Sequence, residues 1–147
     1  MIKKDSSKVT GSVNVVVRGD DGAIKQEFTV PNLVVDTGLD YIASRMEGTS
    51  ESVMSHMAVG TGTTAAASGD TALETEAARV ALTSTTVTDN AVAYVATFAA
   101  GTGTGALTEA AILNASSGGT MLCRTVFSVI NKGASDSMTV TWTVTIS

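Results

Sequence analysis

The sequence predicts a mainly β protein, an antiparallel β-sandwich or jelly roll carrying one short helix. Three observations lead there. Apolar residues alternate with polar ones along several short runs, the period of a strand with one buried face. Clusters of Gly, Asn, Asp and Ser separate those runs, as turns require. No run shows the strand-helix-strand rhythm of a parallel sheet. About eight short strands with one helix suit two packed antiparallel layers.

Residues 1–11 are polar and are expected to form a flexible arm, which leaves 12–147 as a single sandwich domain. Val13, Val15 and Val17 alternate, Arg18-Gly19-Asp20-Asp21-Gly22 supplies turn residues, and Ile24, Gln26, Phe28 and Val30 alternate back, so a hairpin is predicted. Pro31-Asn32 ends it. Thr37-Gly38-Leu39-Asp40 has the form of a capping box, and Leu39, Ile42 and Met46 recur at the spacing of a buried helical face. Gly48 is placed to stop that helix. A short strand is expected over Ser55–Val59, and Glu74–Arg79 reads as a helical turn or a loop. Val80–Thr88 reads as one strand, and Val92, Tyr94, Ala96 and Phe98 alternate on the next. Gly101–Gly105 is a link and Leu107–Leu113 a further short element. Gly118-Gly119 turns the chain into a strand over Met121–Val129. Val140, Trp142, Val144 and Ile146 alternate with threonines on the last strand.

Composition narrows the function. The chain has 147 residues, enough for one domain with its own core, and 44% of them are hydrophobic. Aromatic residues make up only 4% and charged residues 16%, so the core is Val, Ala, Leu and Ile while Thr, Ser and Gly cover the surface. Such a surface suits a protein packed against neighbours. A net charge of -5 with no basic stripe argues against a nucleic-acid partner. The absence of a long apolar run argues against a membrane span, and no signal peptide is evident. The single cysteine, Cys123, cannot form an internal disulfide and is expected to be a buried thiol. The expectation is a soluble protein that needs no oxidising compartment.

One stretch invites a catalytic or ligand-binding reading. Gly60-Thr61-Gly62-Thr63-Thr64-Ala65 fits the loose dinucleotide fingerprint G-x-G-x-x-G/A. That fingerprint holds a pyrophosphate only at the start of a helix packed on a parallel sheet. Here Ala65-Ala66-Ala67-Ser68-Gly69-Asp70 follows, with no amphipathic helix and no Lys-Ser or Lys-Thr pair, so the segment reads as a polar bend. The sole histidine, His56, is too few for an ordinary zinc site, and no nucleophile elbow accompanies it. Asp20-Asp21 and Glu74-x-Glu76 read as solvated carboxylates rather than a cleft pair. Arg18-Gly19-Asp20 and Asn114-Ala115-Ser116 match short recognition patterns that turn chemistry and chance explain. No catalytic residue, cofactor or metal ligand is assigned.

The arrangement of several segments resembles small structural proteins of tailed bacteriophages. The resemblance rests on Asn32-Leu33-Val34-Val35-Asp36-Thr37-Gly38, on Met57-Ala58-Val59-Gly60-Thr61-Gly62-Thr63-Thr64 and on Asp70-Thr71-Ala72-Leu73-x-x-Glu76-x-x-Arg79. It continues through Leu107-Thr108-Glu109-Ala110, Gly118-Gly119-Thr120-Met121-Leu122-Cys123-Arg124-Thr125-Val126-Phe127 and the terminal Thr-Val-Thr-Trp strand. Such patterns occur in capsid cement (decoration) proteins and in tail-fibre or baseplate modules. The cement resemblance implies a non-enzymatic module that sits outside the phage head, on the virion surface, after assembly in the host cytoplasm. It would clamp neighbouring major capsid subunits, its modest contacts adding through avidity, and would associate as a dimer or higher homo-oligomer. The N-terminal arm, with Ile2, Lys3, Lys4 and Lys8, is the candidate partner-contact segment. A tail-fibre or baseplate module would instead serve assembly or bind host-surface glycans. Glycan recognition favours exposed aromatic platforms, whereas Trp142 alternates with threonines as a core residue does.

Overall fold

Alternating apolar residues build the first sheet row by row. The computed structural model describes residues 8–48 and 51–147. Its strands are β1 (Val9–Arg18), β2 (Ile24–Pro31), β3 (Leu33–Val34), β4 (His56–Gly60), β5 (Glu76–Ala81), β6 (Ser84–Thr88), β7 (Ala91–Phe98), β8 (Gly105–Leu113), β9 (Met121–Lys132) and β10 (Ser137–Ile146), with helix α1 at Asp36–Met46. One five-stranded sheet runs β2-β1-β10-β7-β6 and the other β3-β9-β8-β4-β5. Every pairing is antiparallel. The predicted β-sandwich with one helix is what the described residues form.

In the first sheet Val13, Trp142 and Tyr94 lie side by side, then Val15, Val140 and Ala96, then Val17, Met138 and Phe98. All nine are buried. Small Ala96 beside Val140 leaves room for the larger residues of the flanking rows, as close packing demands. Burying a side chain such as Phe98 contributes about 1.5–3 kcal/mol. Trp142 faces this core, as its alternation with threonines implies.

The second sheet is covered on both faces, and its sequence shows it. Met57, Val59, Ala110, Ile112 and Cys123 join the core between the sheets. Ala58, Ala111, Leu113 and Met121 point the other way and pack with Val35 and Leu73. Strands buried on both faces read as continuous apolar runs rather than alternating ones. That is why Leu107–Leu113 shows no clear period.

The helix forms where predicted, and of its predicted face Ile42 packs against the core while Leu39 and Met46 do not. Gly38 and Tyr41 are its buried residues, whereas Leu39 is 45% and Met46 86% exposed. The cause is a backbone contact. A Cβ at Gly38 would overlap the Leu122 carbonyl oxygen, so only glycine lets α1 lie this close to β9. The capping box is not made either. Val35 is the N-cap and its apolar side chain makes no cap bond, while Thr37 lies inside the helix and donates its hydroxyl to the Met121 carbonyl at 2.9 Å. The helix ends at Met46, and Gly48 follows the Glu47 C-cap with a φ of 72°.

Three further expectations change. Glu76–Ala81 is a strand rather than a helical turn, because it pairs with β4 along its length. Val80–Thr88 is two strands in different sheets, with Leu82 and Thr83 as the crossover. Their amides donate to the Ser55 carbonyl, just before β4, and to the Val95 carbonyl on β7. Of the arm expected over residues 1–11, Val9, Thr10 and Gly11 instead belong to β1, pairing with Ile146, Thr145 and Val144, and residues 1–7 lie outside the described residues.

Candidate functional site

The fingerprint-like segment folds as a bend, and an anion does sit on it. That anion is the protein's own. Glu109 on β8 is fully buried, and its carboxylate accepts the Gly62 amide at 2.6 Å and the Thr75 amide at 3.1 Å through Oε2. Its Oε1 accepts the Glu74 amide at 2.7 Å. A Cβ at Gly62 would overlap Glu109 Oε2, so the glycine is required for the approach. This is the same use that phosphate-binding loops make of glycine, close access of backbone N–H groups to negative charge. Here the side chain fills the place a ligand would take.

A second buried charge holds the far end of the loop. Arg124 on β9 donates from Nη1 to Asp70 Oδ2 at 2.8 Å and from Nη2 to the Thr64 carbonyl at 3.0 Å, with Glu109 Oε1 at 3.5 Å. Glu74 closes the tip by accepting the Thr63 amide at 3.0 Å. Bonds from Thr64 and Thr63 hold its carboxyl below the ordinary carboxylate value. The Thr108 hydroxyl donates to the Gly62 carbonyl at 2.7 Å. The segment 61–75, which has no strand or helix, is thus fixed by side chains from β8 and β9.

The β9–β10 turn carries a smaller charged group. Asp136 accepts the Gly133 amide at 2.8 Å and Lys25 Nζ at 3.0 Å. These two donors hold its carboxyl below the usual value. Lys132 is buried and donates to the Ala99 carbonyl at 3.0 Å; burial pushes its pKa down against the opposing pull of Asp136. Arg79 ties β5 to the β8–β9 connection through the Ala115 and Gly118 carbonyls, both at 2.9 Å, and pairs with Glu76 at 2.7 Å.

The candidate residues of the sequence fall apart from one another. Cys123 is buried in the core, as expected, and burial pushes its thiol pKa up, away from reactivity. His56 begins β4 and its Nδ1 lies 2.8 Å from the Ser55 hydroxyl. Asp21 only closes its own turn, accepting the Ala23 amide at 3.0 Å. Of the candidate arm, Ile2, Lys3 and Lys4 lie outside the described residues. Lys8 is exposed at the head of β1, its backbone paired with Ser147 at 2.7 and 2.8 Å.

Sequence reasoning missed Glu109 and Arg124 as anchors. Glu109 stands in an apolar run, Leu107–Leu113, where a charged residue needs a buried partner. That was the available signal, but its partners are 34 to 47 residues away along the chain. Among the described residues no group of three or more His, Cys, Asp or Glu is placed to hold a metal, and no helix is long and apolar enough to cross a membrane. Comparison with protein families, with curated proteins and with solved structures gave no match.

Proposed function

We propose that this chain is a non-enzymatic cement protein of a tailed-bacteriophage head, bound outside the shell and clamping neighbouring major capsid subunits. The observation that carries the reading is where the buried charges go. Glu109, Arg124, Lys132 and Asp136 all bond to the protein's own loops and turns. Such anchoring stiffens a surface instead of arming a cleft. A clamp needs fixed contact points, because contacts of modest strength add through avidity only when geometry lets them engage together. The Ser- and Thr-rich exterior supports the same reading, as does the resemblance of the segments around Asn32, Met57, Asp70 and Gly118 to phage structural proteins.

The deciding experiment is the copy number of the chain in purified particles, by quantitative mass spectrometry against the major capsid protein. About one copy per capsid subunit is the expected result. A few copies per particle would place it in a tail fibre or baseplate. Complete absence would overturn both virion readings.

A further inference from the structure

The edges of the two sheets are not treated alike. A strand edge exposes unpaired N–H and C=O groups, and proteins blunt it with charges, proline, bulges or short length. β2 carries Lys25, Glu27 and Pro31, and β5 carries Glu76 and Arg79. β3 is two residues long. Beyond it, the open side of β9 bulges where Phe127–Val129 stand against Thr108 alone, since Glu109 pairs with Val126 and Leu107 with Ile130. β6 has none of these devices. Its sequence is Ser84-Thr85-Thr86-Val87-Thr88, without charge or proline, and all five residues are exposed.

We propose that β6 is a dimerisation edge that pairs antiparallel with β6 of a second copy about a two-fold axis through Thr86. The backbone fixes this register. Asp89-Asn90 is a two-residue turn, so Thr88 and Ala91 form a hydrogen-bonded pair, and alternation gives Thr86 and Ser84 the same role. The N–H and C=O groups of Thr85 and Val87 therefore point away from β7. In the two-fold arrangement Thr85 meets Val87 of the second copy and Val87 meets its Thr85, which satisfies all of these groups.

The side chains agree with the register. Thr85 and Val87 share the face of Tyr94 and Val92, their partners on β7, and Val87 is 68% exposed there. Pairing puts Val87 against a threonine methyl, and Thr86 against Thr86 on the other face. Threonine and β-branched pairs of this kind stabilise antiparallel strands. No like charges meet, because β6 carries none. A five-residue edge covers less than the about 800 Å² per partner of a standard interface, so the dimer is concentration-dependent.

The test uses the full chain in sedimentation equilibrium from low micromolar to near-millimolar concentration, with cysteine cross-linking as the second reading. A reversible dimer is expected. T86K sets two ammonium groups against each other on the axis and should weaken it about fivefold or more. T85P removes an outward N–H that β7 does not use and should weaken it too, with the circular dichroism spectrum unchanged. In the proposed register the Thr86 Cα atoms lie about 4.5 Å apart, within disulfide range, so T86C should cross-link under mild oxidation. The Ser84 Cα atoms lie roughly 13 Å apart, so S84C should not. A monomer at every concentration would overturn the proposal. So would a dimer indifferent to T86K, or equal cross-linking by T86C and S84C.

Discussion

Replacing Glu109 by glutamine tests whether one buried carboxylate holds the 61–75 loop. The carboxylate accepts three backbone amides, at 2.6, 2.7 and 3.1 Å, and lies beside Arg124. Glutamine can keep its single oxygen on the Gly62 and Thr75 amides, but its NH2 then confronts the Glu74 amide and the Arg124 guanidinium. An unsatisfied amide costs about 1–3 kcal/mol, and converting charge-assisted bonds to neutral ones costs about 1 kcal/mol more. Arg124 keeps Asp70 and the Thr64 carbonyl, so its loss is partial. The total is about 2–4 kcal/mol for E109Q, and about 4–6 kcal/mol for E109A, which strands all three amides. For a domain of this size about 2–4 kcal/mol lowers Tm by roughly 4–15 °C. The assay is thermal and urea unfolding, joined to amide hydrogen exchange. Gly62, Glu74 and Thr75 should exchange faster while β1 and β10 stay protected. G62A adds a methyl that collides with the carboxylate and should cost about 1–3 kcal/mol alone. In G62A/E109A the colliding group is gone, so the pair should cost less than the sum of the singles by about 1 kcal/mol or more. A change under about 1 kcal/mol in E109Q, or strict additivity in the cycle, refutes the anchoring role.

Three other outcomes follow from the same coordinates. G38A should cost about 2 kcal/mol or more in thermal unfolding, because the new Cβ meets the Leu122 backbone and α1 must lift from β9. Tyr94 is buried and its pKa is pushed up to about 12 by desolvation. The raised value stabilises the fold fully below the ordinary tyrosine value near ~10, and about 2–3 kcal/mol is lost as pH climbs from there to the folded value. Y94F should remove that alkaline loss, read by unfolding at stepped pH. Asp136 shifts the other way, so its contribution is present above the ordinary carboxylate value and disappears as pH falls through the lower folded one. D136N should flatten the acid limb of the stability profile, with Trp142 fluorescence as the probe.

Strands whose one face alone is buried announced themselves. Val13, Val15 and Val17 alternate because β1 has the core on one side, and β10 alternates for the same reason. What the chain hid was decided at a distance. Glu76-Ala-Ala-Arg-Val-Ala has helical composition, yet β4 supplies a strand partner and Arg79 reaches the carbonyls of Ala115 and Gly118. The face of α1 was misread because hydrophobic spacing favoured Leu39 and Met46, while backbone contact at Gly38 set the rotation. No Gly or Pro marks the crossover at Leu82-Thr83. Its position is set by which carbonyls, Ser55 or Val95, stand opposite. The loop site was legible only as a negative. Absence of a following helix ruled out the dinucleotide reading, whereas the carboxylate that replaces the phosphate lies on a strand far along the chain.

The two sides of the sandwich show why one edge is available and the other is not. On one side the chain passes from β2 to β3 through Asn32, whose side chain fills the space that a Cβ at Gly11 would need. There the Thr125 hydroxyl holds the Pro31 carbonyl at 2.8 Å, and Phe28 and Phe127 close the sheets together with ring centroids 5.9 Å apart. A strand added on that side would meet Lys25, Glu27 and Pro31 on β2 and the bulge on β9. On the other side the chain passes from β5 to β6 through Leu82 and Thr83, and β6 then extends with both faces exposed. A strand added there displaces only water and completes backbone bonds that the fold leaves open. The difference in cost, rather than any difference in intrinsic strand preference, makes β6 the edge assigned to the proposed dimer.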